Sequence, residues 1–121
     1  MKSRPLAAAA ALSAALSVGL GALAAHALHD FLKKAGHVDS FDTAVLYHLT
    51  HSIAALVLAQ AGLTRAGWTM LAGVLLFSGS IYLLCLLENV SFLGPVTPVG
   101  GVLIIASWIA AAVAFLKSKA V

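Results

Sequence analysis

The sequence predicts an all-α membrane protein: a compact antiparallel bundle of four transmembrane helices, forming one domain over residues 1–121. Three observations predict it. First, 62% of the 121 residues are apolar and only 9%, eleven residues, are charged. A soluble domain carries about 25% charged and 45–50% apolar residues, so a soluble enzyme domain and a disordered chain are both excluded. Second, the charges leave four empty windows, 5–29, 43–64, 66–87 and 89–116, of 25, 22, 22 and 28 residues. Each can cross a hydrocarbon core about 30 Å thick, which takes roughly 20 residues of helix. Third, runs such as LSVGLGALAA and LLFSGSIYLL lack the alternation of a membrane β-barrel. With no water in the bilayer core, the backbone must bond to itself within each segment, which makes these segments helices.

The first span is expected at about 6–27. Met1 to Pro5 form a basic leader, and Ala-Leu-Ala or Ala-His-Ala near 22–27 resembles a signal-peptidase site; we read the segment as a retained membrane helix. The second span, about 43–62, follows an exposed turn at Phe41 and Asp42, with Ser40 or Asp39 as cap and Asp42 favoured by the helix dipole. The third, about 67–87, has Trp68 at an interface, where a ring that is apolar with a wet N–H belongs. Gly94-Pro95 breaks the chain, and Thr97-Pro98 reads as the cap and first residue of the fourth span, about 98–116. Trp108, in mid-helix, is expected to pack.

Lys and Arg counts predict the orientation. With four spans both termini share a side, and Lys2, Arg4, Arg65, Lys117 and Lys119 outnumber Lys33 and Lys34. Both termini are therefore expected in the cytoplasm of a bacterial inner membrane, with Lys117 and Lys119 as anchors. Asp30, Lys33 and Lys34 read as a solvated turn from which Phe31 and Leu32 dip into the interface. The net charge of +3 is topological information and suggests no nucleic acid. The expected partners are the lipid bilayer and either further copies of the chain or a larger membrane complex.

Small residues let membrane helices approach. Ser17, Gly21 and Ala25 form one such stripe. His51, Ala55 and Ala59 form a second. Gly73 with Ser78-Gly79-Ser80, and Gly100, Gly101, Ser107 and Ala111, supply the other two. Cys85 is alone, so no disulfide forms within the chain and a buried apolar role is its default.

Five histidines in so apolar a chain are the main chemical signal. His26 and His29 end the first span, His37 lies in the loop, and His48 and His51 share a face of the second. A polar cluster of His26, His51, Glu88 and Tyr82 is expected on the outer side. Three readings compete. In the first, His26 and His51 are structural, tying helices one and two or pairing with Glu88 through a donor and an acceptor on each neutral ring. Alternatively, His48 and His51, completed by His26 or Glu88, hold a metal, or His26 and His51 clamp a haem; no HExxH or Cys-rich pattern supports this. Finally, the cluster handles protons or a small polar ligand. The first is favoured. Glu88 reads as reaching interfacial water more readily than as catalytic. No catalytic residue is assigned, and the cofactor is left open.

The segments GALAAHAL (21–28), FDTAVLYHLTH (41–51), LFSGSIYLL (76–84) and TPVGG (97–101) together resemble the YgdD/YwdK-like family, domain of unknown function 423, which is akin to transmembrane protein 256. The resemblance singles out His26, Tyr47, His51, Ser78, Gly79, Ser80, Tyr82, Thr97, Pro98, Gly100 and Gly101. His48 stands where the pattern more often has Gln, and Ala24 and Ala27 where it has Gly. It implies a small inner-membrane protein of about four spans and carries over no activity. The resulting expectation is a scaffold or accessory membrane protein. A metal- or haem-bearing redox subunit and an oligomeric proton-coupled or small-solute transporter remain alternatives.

Overall fold

The computed structural model describes residues 2–118. Met1 of the basic leader and the expected anchor Lys119 lie outside the described residues. The described residues form five α-helices: α1 (Arg4–Ala25), α2 (His29–Ala35), α3 (Val38–Gln60), α4 (Thr64–Leu86) and α5 (Val96–Lys117), with a 3-10 turn at Ser91–Leu93. Four of them, α1, α3, α4 and α5, are long and apolar enough to cross a membrane.

α1 begins two residues earlier than expected because Ser3 caps it. The Ser3 hydroxyl accepts from the Leu6 N–H at 3.3 Å, and Pro5 fits a first turn that needs no donor. The Ser3 N–H donates to the Ala59 carbonyl at 3.1 Å, so the start of α1 is tied to the end of α3. α1 stops at Ala25, and His26 is its C-cap rather than a member of the helix. The solvated turn expected at 30–34 is a seven-residue helix, α2. It closes on Gly36 in the left-handed region (φ 74°), which glycine enters without steric cost. Leu32 is its buried anchor and Phe31 is exposed.

α3 starts at Val38 and takes in the expected exposed turn. Phe41 is fully buried, its ring 5.0 Å from that of Tyr82; an aromatic contact on α4 outweighs a helix start at Ser40, and neither Asp39 nor Ser40 serves as a cap. α5 likewise starts at Val96 with Pro95 before it, leaving the Thr97 hydroxyl free to bond across to Ser80 on α4 at 2.5 Å.

α1 packs on α3, α3 on α4 and α4 on α5, each pair antiparallel. The α4–α5 crossing is the closest approach. A Cβ on Gly100 would lie 2.7 Å from the Gly73 carbonyl oxygen and 2.8 Å from the Leu76 carbonyl carbon, so backbone meets backbone there. The small-residue stripes exist with shifted members. On α1 the buried face is Leu6, Ala10, Ser17 and Ala24, while Ala25 is exposed. On α3 it is Ala44, His48, Ser52, Ala55 and Ala59, so His48 and not His51 belongs to the stripe. On α5 Gly100, Ser107 and Ala111 are buried as expected, joined by Ile104. Cys85 is free and buried. Trp108 is half exposed, its ring near-perpendicular to that of His51.

Candidate functional site

Polar side chains facing the interior of α1, α3 and α4 meet at His48. Its Nδ1 lies 2.8 Å from the Tyr82 hydroxyl and its Nε2 3.1 Å from the Ser13 hydroxyl. Ser13 is in turn 2.6 Å from the Ser52 hydroxyl, and Ser52 donates to the His48 backbone carbonyl one turn back, at 2.6 Å. Three helices are thereby joined through one imidazole. Beside this group the Ser78 hydroxyl donates to the Ala44 carbonyl at 2.8 Å, a second bond between α3 and α4.

Counting hydrogens fixes the direction of every bond. Each serine has a single O–H. The Ser52 hydrogen goes to the His48 carbonyl, so Ser13 donates to Ser52. Ser13 must then accept from His48, which places the imidazole hydrogen on Nε2. Nδ1 is left as an acceptor for the Tyr82 O–H. The chain runs Tyr82 to His48 to Ser13 to Ser52 and back to the His48 backbone, and a neutral imidazole satisfies all of it. Among the described residues no buried side-chain polar atom lacks a partner.

The depth of the group follows from helix geometry. Ser13 is nine residues into α1 and His48 ten into α3, or about 14–15 Å at 1.5 Å per residue, close to half of a hydrocarbon core about 30 Å thick. On the far side of Ser52, toward the chain termini, the interior is Leu6, Ala10, Ala55, Leu58, Ala59 and Met70. The polar chain therefore ends blind in apolar packing.

The set expected from the sequence is thus regrouped. Tyr82 belongs to it, through His48. His26 is an exposed helix cap and Glu88 is exposed in the loop after α4. His51 lies on another face of α3. Its Nδ1–H donates to the Tyr47 carbonyl of its own helix at 2.9 Å, its ring stacks on Tyr47 with centroids 5.5 Å apart, and the Trp108 ring, near-perpendicular to it, has its centroid 5.7 Å away. His48 and His51 are three residues apart, about 60° around the helix axis, enough to turn one toward α1 and α4 and the other toward α5. Buried small neighbours draw His48 inward, while aromatic rings draw His51 toward α5. The residues of the expected metal alternative, His26, His48 and His51, are not brought together, and among the described residues no three His, Cys, Asp or Glu side chains are grouped so as to hold a metal. Sequence reasoning missed Ser13 and Ser52. The available signal was the serines' spacing of about one helical repeat from the buried stripe positions Ser17 and His48.

A half-open groove of about 370 Å³ runs between α1 and α4 over this group. Its sides are Leu12, Leu16, Leu20, Leu71, Val74 and Leu75, and its floor includes Ser13, His48, Ser78 and Tyr82.

The profile of the family described as a protein of unknown function (DUF423) matches residues 20–101. The chain is 41% identical over 115 residues to the UPF0382 membrane protein YwdK of Bacillus subtilis, covering 88% of this chain and 92% of that one. It is 39% identical to a UPF0382 membrane protein of Haemophilus influenzae, over 90% and 91% of the two chains. A UPF0382 membrane protein of the yeast Schizosaccharomyces pombe is 37% identical, over 82% and 91%. No solved structure matches.

Proposed function

The chain belongs to the DUF423 family of membrane proteins, and from that premise we propose that it is an accessory or scaffold protein whose polar centre is a structural clasp. The supporting observation is that every donor of the Tyr82–His48–Ser13–Ser52 chain is spent inside the protein. It presents no free nucleophile, acid or metal-ligand set to a substrate. A buried network satisfied in this way rigidifies and specifies one packing. The outer helices carry the exposed surface: Leu12, Leu16 and Val18 on α1, and Val102, Ile105 and Ile109 on α5, all face outward. Such faces meet lipid or another membrane protein.

A proton-conducting role is less well supported, since the polar chain stops at Ser52 and does not reach the second membrane face. The redox reading lacks a convergent ligand set. The inner membrane as location, with both termini cytoplasmic, rests on the Lys and Arg distribution. Native-gel migration after extraction from the source membrane in a mild detergent tests the accessory role. An assembly larger than the free protein–detergent particle is expected; a lone monomer would count against it.

A further inference from the structure

We propose that the groove between α1 and α4 is a lateral binding site for a neutral, single-hydroxyl aliphatic lipid of the diacylglycerol type. This goes beyond the accessory role and stands on the groove and its floor.

Four features select that chemistry. The groove extends from Ala9 to Leu20 on α1 and from Leu71 to Tyr82 on α4. Eleven residues at 1.5 Å each give about 16 Å, centred on the middle of both helices, so an aliphatic chain lying along the helices fits its length. The sides are aliphatic, with Tyr82 the only ring besides the His48 imidazole, which favours a chain over a flat ring system. Hydrogen counting sets the head. The donors of Tyr82, His48 and Ser13 are all engaged, whereas the Tyr82 oxygen keeps both lone pairs unused and the Ser13 oxygen keeps one. A ligand can therefore only donate to this floor, which a hydroxyl does and an ester or ketone does not. Finally, the acceptor oxygens lie at the level of His48, 2.8 Å from the Tyr82 hydroxyl and about 14–15 Å from the start of α3. A phospholipid would have to bring an ionised phosphate to that depth, at high cost; an uncharged glyceride would not.

The test uses the full chain in phosphatidylcholine nanodiscs, with 13C-labelled tyrosine and 15N-labelled histidine. It titrates 1,2-didecanoylglycerol, the 3-O-methyl ether of the same lipid, and didecanoyl phosphatidic acid. The diacylglycerol is expected to shift the Tyr82 signal saturably. The ether, which cannot donate, should bind about tenfold more weakly, as loss of one hydrogen bond implies, and phosphatidic acid should give no saturable shift. Gly79→Leu should abolish binding while leaving the lipid-free His48 signals unchanged, because a Cβ at Gly79 meets only Leu75 Cδ1, at an ordinary 3.8 Å. Leu16→Trp, at the lipid-exposed rim, supplies the same block if Gly79→Leu does not fold. The proposal is overturned by no saturable shift with diacylglycerol, by equal affinity for the ether, by competing phosphatidic acid, or by binding that survives both blocks.

Discussion

Tyr82→Phe isolates one bond of the clasp. The ring stays, so its contact with Phe41 at 5.0 Å is kept, and only the hydroxyl that donates to His48 Nδ1 at 2.8 Å is lost. That nitrogen then has no donor. Leaving a buried acceptor unpaired costs about 1–3 kcal/mol, while interhelical bonds in membrane proteins average about 0.6 and reach about 1.7 kcal/mol. A loss of about 1–2 kcal/mol is expected, a five- to thirtyfold fall in the folded-to-unfolded ratio. The assay is reversible unfolding in mixed micelles at increasing mole fraction of a denaturing detergent, followed by circular dichroism. The imidazole cannot escape by changing tautomer, because Ser13 needs the hydrogen on Nε2. His48→Leu should therefore cost more than Tyr82→Phe, since it strands the Tyr82 O–H and also removes the donor to Ser13. The double variant should be less destabilised than the sum, with a coupling of about 0.5–1.5 kcal/mol between contacting residues. A Tyr82→Phe protein within about 0.3 kcal/mol of the parent, fully additive with His48→Leu, would refute the reasoning; that scatter is what independent sites show.

Other perturbations read different parts of the fold. Gly100→Ala pushes a methyl into the α4 backbone and should cost about 1–3 kcal/mol, as overpacking does. Gly101→Ala, whose Cβ would meet only the Phe77 ring at 3.7 Å, should be neutral or stabilising in the same unfolding assay. Ser80→Ala breaks the bond to Thr97 and should cost about 0.5–1 kcal/mol, loosening α5 before α3, which amide hydrogen exchange resolves by helix. An alkaline phosphatase reporter fused after Val121 should be inactive and one fused after Gly36 active; the reverse pattern would overturn the orientation. Purified protein should be colourless, and its unfolding midpoint should not move on chelation; a haem spectrum or a chelator-induced shift would revive the redox reading.

The four spans were legible because charges are scarce and a single ionised side chain in hydrocarbon is costly enough to shape the whole sequence. Glycine and serine at the helix contacts were legible for a related reason, and Gly100, Ser107 and Ala111 are buried where small residues were expected. Helix ends were less so. Phe41 reads as part of an exposed turn until Tyr82 is known to lie opposite, and the Ser3 cap of α1 is tied to the end of α3 through Ala59, which no local pattern announces. The site was read one turn away from its position. His48 and His51 are chemically identical in sequence, and which of them faces inward depends on the rotation of α3, which Ala44, Ser52 and Ala55 set by packing. Tyr82 was identified, but its partner was not, since a bond between residues 34 apart leaves no local pattern.

The central claim is that a neutral His48, hydrogen on Nε2, clasps three helices in mid-membrane. Nitrogen-15 NMR of the His48 side chain in lipid nanodiscs tests it most directly. A protonated Nε2 with a through-hydrogen-bond coupling to Ser13, and an unprotonated Nδ1, both protected from exchange with water, is the predicted result. A hydrogen on Nδ1, a doubly protonated ring at neutral pH, or rapid exchange with water would contradict it.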